Sequence, residues 1–282
     1  MSTRPRACVM GHPVAHSRSP MLHGHWLKTL GIDGEYGRED ISPAAFPDFL
    51  RNIAQHDYVG GNITVPHKEA AFRTVDRRDA AAEAVGAVNT VWFEGGRMVG
   101  SNTDSLGFMA HLDDCAPDWE THDAPVIVLG AGGSARAIVH ALLERKRDVA
   151  VVNRTRDRAE EIAQHYGKAV SAHGFDQLPH LLRRAALLVN TTMLGMAGQP
   201  PLDIDLAGLD RRAVVYDIVY VPLETPLLAA ARARGHRVAD GLGMLLHQAV
   251  PGFARWFGVT PKVTPELRAL LEADIRAKTG AH

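Results

Sequence analysis

The strongest constraint on how this chain folds lies near its middle. There Pro125-Val-Ile-Val-Leu129 runs directly into Gly130-Ala-Gly-Gly-Ser-Ala135. An unbroken apolar run is what a parallel strand buried on both faces requires. The glycines let the chain turn tightly, and a helical pattern follows to about Arg147. Parallel strands cannot be joined by a tight hairpin, so each needs a crossover, usually helical. The same buried-strand signature returns at Val149–Asn153, Leu187–Asn190 and Val214–Val219. Thr225-Pro226 opens a helix that stops at Gly235, and Val238–Asp240 reads as a last short strand. This repetition predicts an α/β fold with a Rossmann-type, doubly wound parallel sheet and helices on both faces.

The first 105 residues also alternate strand and helix. Arg6–Met10, Glu35–Ile41 and Tyr58–Val65 read as strands. Ser19 is an apt N-cap before Pro20, opening a helix that ends at Gly31. Ala44–Gln55 carries Phe46, Phe49, Leu50 and Ile53 at helical spacing, and an Ala-rich helix follows Pro66. Val88–Phe93 and Arg97–Val99 flank Glu94-Gly95-Gly96, a hairpin signal. The last 40 residues hold two helical segments split by Pro261 and Pro265. They lack strands, so they must pack on a structure built elsewhere.

At 282 residues the chain has room for two domains. Hydrophobic residues make up 46 % and charged residues 22 %, which excludes a disordered or fibrous chain. Lys plus Arg number 31 against 32 Asp plus Glu, so no global basic field exists to hold nucleic acid nonspecifically. Cys8 and Cys115 are too few for a disulfide framework or a cysteine zinc site. The start, Met1-Ser-Thr-Arg-Pro-Arg6, does not read as a signal peptide, and no apolar run approaches the roughly 20 residues of a membrane span. A reduced, cytoplasmic location is the expectation. The 15 histidines invite a metal reading. However, His23 and His25 alternate on a helix, and His12, His16 and His67 have no carboxylate at ligand spacing. Surface or hydrogen-bonded histidines, and no metal, are expected. The sequence leaves monomer and homodimer open.

Gly130, Ala131, Gly132, Gly133 and Ser134 sit between a buried strand and a helix, the context that gives a glycine triad meaning. Gly132 would let backbone approach a pyrophosphate, and the helix start would offer N–H groups and partial positive charge. The end of the next strand selects the dinucleotide. An NAD reader places Asp or Glu there to hold the ribose hydroxyls. This chain has Asn153, then Arg154, Thr155, Arg156 and Arg158, with Asp157 the one opposing charge. Arginine forks bind a 2′-phosphate that a carboxylate would repel, so NADP (NADPH) is favoured over NAD.

Three polar clusters stand at strand ends in the first half, where the crevice of a parallel sheet opens. They are residues 11–20, residues 61–68, and Asn89-Thr90 with Asn102-Thr103-Asp104. Taken singly, each reads as well as a cap or a turn.

Together they resemble the shikimate dehydrogenase family over nearly the whole chain. The carrying residues are His16-Ser-Arg-Ser-Pro20, Asn62-Ile-Thr-Val-Pro-His-Lys68, Gly86-Ala-Val-Asn-Thr90, Asn102-Thr-Asp104, Gly130-Ala-Gly-Gly133, Asn153-Arg-Thr155, and Asp240-Gly-Leu-Gly-Met244 with Gln248. The resemblance implies NADPH-dependent reduction of 3-dehydroshikimate to shikimate, on the route to chorismate and the aromatic amino acids. It implies that Ser17, Ser19, Thr64, Asn89, Asp104 and Gln248 hold substrate hydroxyls and carboxylate. Tyr220 would reach the substrate from the cofactor side, Lys68 and Asp104 would be the catalytic pair, and Ile218 and Gly241 would line the nicotinamide. It also implies that the last helices return to the first domain. A substrate domain of 1–105 with 242–282 and an NADP domain of 106–241 are therefore expected. Thr191 and Met193 depart from the family's more frequent Ala and Ser, and Gly24 stands where Asn is usual. The alternatives are a quinate/shikimate dehydrogenase that uses NAD, or a noncatalytic NADP-binding protein of the same fold.

Overall fold

The computed structural model describes residues 4–279. Met1–Thr3, part of the amino-terminal reading above, lie outside the described residues, as do residues 280–282 of the expected substrate domain. The chain divides into two compact units. One runs through Asp104 and takes in Gln248–Leu271, and the other is Ser105–His247 with the residues from Glu272 on. The division near Gln248 falls inside a helix, because a continuous helix need not break where its packing partners change.

In the first unit the elements are β1 (Arg6–Gly11), α1 (Ser19–Thr29), β2 (Glu35–Asp40), α2 (Phe46–Arg51), β3 (Tyr58–Ile63), α3 (Lys68–Thr74), β4 (Arg77–Arg78), α4 (Ala80–Val85), β5 (Thr90–Glu94) and β6 (Arg97–Ser101). The sheet order is β2-β1-β3-β5-β6-β4. β1 pairs with β2 and β3 in parallel, while β5 is antiparallel to both β3 and β6. One consequence positions the site. The carboxyl ends of β1, β3 and β6 and the amino end of β5 all lie on the same edge of the sheet. Cys8, Met10, Phe46, Leu50, Ile53, Ile63, Val88 and Val91 fill the core on one side. Elsewhere in the unit an aromatic group of Trp26, Tyr36, Phe253 and Trp256 surrounds His23.

In the second unit the elements run α5 (Asp104–Cys115), β7 (Val126–Leu129), α6 (Gly133–Glu144), β8 (Val149–Val152), α7 (Arg156–Tyr166), β9 (Val170–His173), α8 (Leu178–Leu182), β10 (Leu187–Asn190), β11 (Val214–Asp217), α9 (Pro226–Ala233) and β12 (Arg237–Ala239). α10 (Gly241–Phe257) and α11 (Pro265–Thr279) close the chain and contribute residues to both units. All strand pairs are parallel, in the order β12-β11-β10-β7-β8-β9. That is the doubly wound dinucleotide-binding order. Every residue of β7, β8, β10 and β11 is buried. Separate apolar cores cover the two faces.

Several local expectations are corrected. Ser19 is not the N-cap: Arg18 holds that position with helical backbone angles. The Ser17 hydroxyl instead accepts from the Ser19 amide at 3.3 Å. The helix read over 44–55 is α2 followed by a separate 3-10 turn at Ile53–His56, which ends at Asp57 with φ 62°. β3 stops at Ile63 rather than Val65, since Val65 is exposed and Pro66 cannot donate to a ladder. β9 and β4 carried no sequence signal strong enough to predict them. His23 is neither surface nor solvated. It is fully buried, stacks 4.0 Å from Tyr36, and burial pushes its pKa down to about 3, so it is neutral.

Candidate active site

Lys68 opens α3 directly after the β3 loop, with His67 at the N-cap. His67 is fixed by a 2.7 Å contact to the Ile41 carbonyl and by stacking on Phe46 at 4.2 Å. The backbone carbonyl of Lys68 accepts from the Val88 amide, tying the helix start to the strand that follows Asn89. Asp104 begins α5 after β6, on the same sheet edge. The two side chains meet: Lys68 Nζ donates to Asp104 Oδ2 at 2.6 Å, with the lysine side chain 23 % and the aspartate 9 % exposed. The ammonium retains exposure on one side, where a reacting oxygen could accept from it.

Asn89 organises the rest. Its Oδ1 accepts from the Thr103 amide at 2.9 Å, the Thr90 hydroxyl at 2.9 Å and the Thr103 hydroxyl at 3.2 Å. Its amide nitrogen must then face the other way, donating to Asp104 Oδ1 at 2.8 Å and to Gln248 Oε1 at 3.4 Å. The Thr103 hydroxyl also reaches Gln248 Oε1 at 3.3 Å. Lys68, Asp104, Asn89 and Gln248 therefore form one connected group within the first unit. Ser17 and Ser19 are joined to each other, hydroxyl to hydroxyl, at 3.2 Å. Thr64 follows β3 and lies against Gly11 at the end of β1. These three serve the same sheet edge from neighbouring loops.

Sequence reasoning missed a supporting layer. Tyr36 donates to Asn62 Oδ1 at 2.6 Å, and Asn62 donates to Thr90 Oγ1 at 3.1 Å and to the Asn89 carbonyl at 3.3 Å. Asn102 Oδ1 accepts from the Asp104 amide at 3.1 Å. The available signal was a buried Asn or Thr where strand ends otherwise run apolar.

In the second unit the glycine turn has the geometry a pyrophosphate needs. Gly130 has φ 106°, which an L side chain rarely adopts, and a Cβ there would meet Thr191 Oγ1. A Cβ on Gly132 or Gly133 would meet nothing within 4 Å, so this backbone borders open space. No side chain caps α6, which leaves its first N–H groups for a ligand. Ala131 and Ser134 complete the turn. Asn153 follows β8 and donates to the Thr155 carbonyl at 2.8 Å, and Thr155 is the N-cap of α7. Arg156 pairs with Glu160 at 3.0 Å, while Arg154 and Arg158 are exposed and enter no ion pair among the described residues. These residues fit a dinucleotide carrying a 2′-phosphate. Thr191 donates to the Leu129 carbonyl at 2.6 Å, and Met193 is 64 % exposed. Ile218 and Tyr220 are half-buried just beyond β11. Gly241 packs against the Ile218 carbonyl so closely that no Cβ would fit. Among the described residues no group of three or more His, Cys, Asp or Glu could hold a metal ion. None of the described helices is long and apolar enough to cross a membrane.

A doubly wound sheet with an open glycine turn, and a Lys–Asp pair ringed by neutral hydrogen-bonding groups, define a dinucleotide-dependent oxidoreductase of hydroxylated substrates. Residues 9–91 match the shikimate dehydrogenase substrate binding domain, 115–196 the shikimate/quinate 5-dehydrogenase family, and 241–271 the shikimate 5′-dehydrogenase C-terminal domain. The chain belongs to the shikimate dehydrogenase family. It is 58 % identical over 271 residues to the NADP(+) shikimate dehydrogenase of Methylocella silvestris, covering 96 % of this chain and 97 % of that one. With the Mesorhizobium japonicum enzyme of the same name it shares 57 % over 274 residues, 97 % and 98 % of the two chains. Among solved structures, the Thermus thermophilus shikimate 5-dehydrogenase in complex with NADP(H) and shikimate superposes with a TM-score of 0.83 at 35 % identity, covering 97 % and 99 %. The Corynebacterium glutamicum quinate dehydrogenase in complex with NAD gives 0.87 at 30 % identity, covering 96 % and 99 %.

Proposed function

We propose that this chain reversibly reduces 3-dehydroshikimate to shikimate with NADPH, with the first unit holding the ring acid and the second the cofactor. The observation that carries the reading is the 2.6 Å Lys68–Asp104 pair, held by Asn89 on the sheet edge that also carries Ser17, Ser19 and Thr64. Its similarity to the NADP(+) shikimate dehydrogenases over almost the full chain supports it.

The substrate is compact and rich in hydroxyls. Neutral donors and acceptors suit it, and a site built to hydrogen-bond a hydroxyl rejects an analogue lacking it by about 10⁴-fold. Ser17, Ser19, Thr64, Asn89 and Gln248 of the first unit take that role. Bound NADPH supplies the hydride. As charge grows on the ketone oxygen, the Lys68 ammonium stabilises it and donates the proton. Asp104 holds the ammonium in place, and Asn89 holds Asp104. In the oxidation direction the same nitrogen takes the hydroxyl proton.

Cofactor choice rests on Asn153 in place of an acid and on the unpaired Arg154 and Arg158, which would hold the 2′-phosphate. A spectrophotometric assay crossing shikimate and quinate with NADP and NAD tests the reading. Rapid reduction of NADP with shikimate, and little with quinate or NAD, is expected. Turnover with quinate plus NAD would point instead to the catabolic quinate branch. Cofactor binding without shikimate-dependent turnover would mark a noncatalytic protein.

A further inference from the structure

The second unit buries a carboxylate that the proposed chemistry does not use. Asp217 ends β11 and is fully buried. Its Oδ1 accepts from Asn190 Nδ2 at 2.9 Å and from the Val219 amide at 3.0 Å, and its Oδ2 accepts from the Thr225 hydroxyl at 2.7 Å. The partners come from the end of β10 and from both ends of the connection between β11 and α9, at the carboxyl edge of the parallel sheet. Asn190 Oδ1 accepts from the amide and hydroxyl of Thr192 at 3.0 and 2.7 Å, which sets the loop after β10. That loop packs against Gly130: a Cβ on the glycine would touch Thr191 and Thr192. The Val219 peptide is gripped from both sides, by Asp217 at its amide and by the Gly241 amide at its carbonyl, 3.3 Å away. Thr225 is the N-cap of α9 and accepts from the Leu228 amide at 3.3 Å.

We infer that Asp217 is a positioning residue for the dinucleotide, locking the segment at 191–192 over the glycine turn and the Ile218–Val219 peptide in their binding conformations. The inference rests on the cofactor reading proposed above, which puts Gly130 against the pyrophosphate and Ile218 against the nicotinamide. Burial pushes the Asp217 carboxyl up to about 6, and no cation or second acid contacts it. Among the described residues its hydrogen-bond partners are the Asn190 amide, the Val219 N–H and the Thr225 hydroxyl. A hydrophobic residue would fill a strand end at less cost. A carboxylate here has one advantage, the capacity to accept at once from the end of β10 and from two points of the connection between β11 and α9.

The test titrates the apo protein separately with NADPH and with shikimate by calorimetry. Asp217→Ala strands three buried donors, so its NADPH Kd should rise by roughly tenfold or more while the shikimate Kd stays within about twofold. Asp217→Asn keeps the Oδ1 bonds and can turn its amide to Thr225, so it should restore NADPH binding to within about threefold of the unaltered protein. Should Asp217→Ala fail to fold, Thr225→Val removes one donor and should weaken NADPH alone, by about threefold. The inference is overturned if the folded alanine or valine variant binds NADPH as the unaltered protein does, if both ligands weaken together, or if asparagine rescues nothing. Failure of the unaltered protein to bind NADPH would sink the cofactor reading itself.

Discussion

Each unit buries one carboxylate at the ligand-facing edge of its sheet, and the two are treated in opposite ways. Asp104, 6 % exposed, is paired with a cation and receives an amide from Asn89. Asp217, 0 % exposed, meets only neutral donors, and burial raises its pKa to about 6. Under the proposed function, the first arrangement serves the proton transfer. The second spends its hydrogen-bonding capacity on backbone geometry. The sheets differ in the same sense. The mixed sheet of the first unit gathers side chains from β1, β3, β5 and β6 on one edge, whereas the parallel sheet of the second offers a glycine turn and a helix start. Under the proposed function, side chains select the hydroxylated ring and backbone amides receive the phosphates.

The contrast is broken most easily at Lys68. Lys68→Met removes the proton donor and should lower turnover by about 10²–10⁴-fold while leaving the shikimate KM nearly unchanged. Steady-state kinetics checks it, and near-normal turnover would remove Lys68 from the chemistry.

Asp217 gives a smaller effect of a different kind. Its folded pKa lies above the unfolded value of 3.8, so the folded state binds the extra proton between about pH 4 and 6. This group's contribution to stability therefore falls as pH rises through that window, by up to ~3 kcal/mol. Asp217→Asn should flatten that part of the urea-unfolding pH profile. An unchanged profile would mean the carboxyl is not desolvated.

Arg154 and Arg158 sharpen the comparison at the cofactor. Replacing both with alanine should raise the KM for NADP by roughly 10-fold or more and leave that for NAD nearly alone, since only the 2′-phosphate contacts are lost. Equal loss for both cofactors would contradict the assignment.

How far the sequence can be read follows from burial. Val126–Leu129 and Leu187–Asn190 were legible because a strand covered on both faces is apolar throughout. β9, at the sheet edge, has one buried residue, Val170, and leaves no such run. Arg77–Arg78 is a strand of two residues, defined by its partner β6 and not by its own letters. Lys68 and Asp104 stood out as types in separate motifs. Their contact depends on β5 running antiparallel to β3, a long-range fact no local pattern encodes. Asn62, Thr90 and Thr103 lie inside the polar clusters legible in the sequence, but their supporting contacts are not, because neutral polar residues at strand ends look like turn residues. Asp217 falls inside the Val214–Val219 strand signature and has no signal of its own in the sequence. Its role emerges from Asn190 and Thr225, which flank it at distances in sequence that carry no periodic signal.

The most direct test of the account is a crystal structure with NADP+ and shikimate bound together. The Lys68 ammonium should stand within hydrogen-bond distance, about 3 Å, of the ring oxygen whose carbon faces the nicotinamide. A Lys68 side chain turned to solvent, with another residue occupying that position, would contradict it.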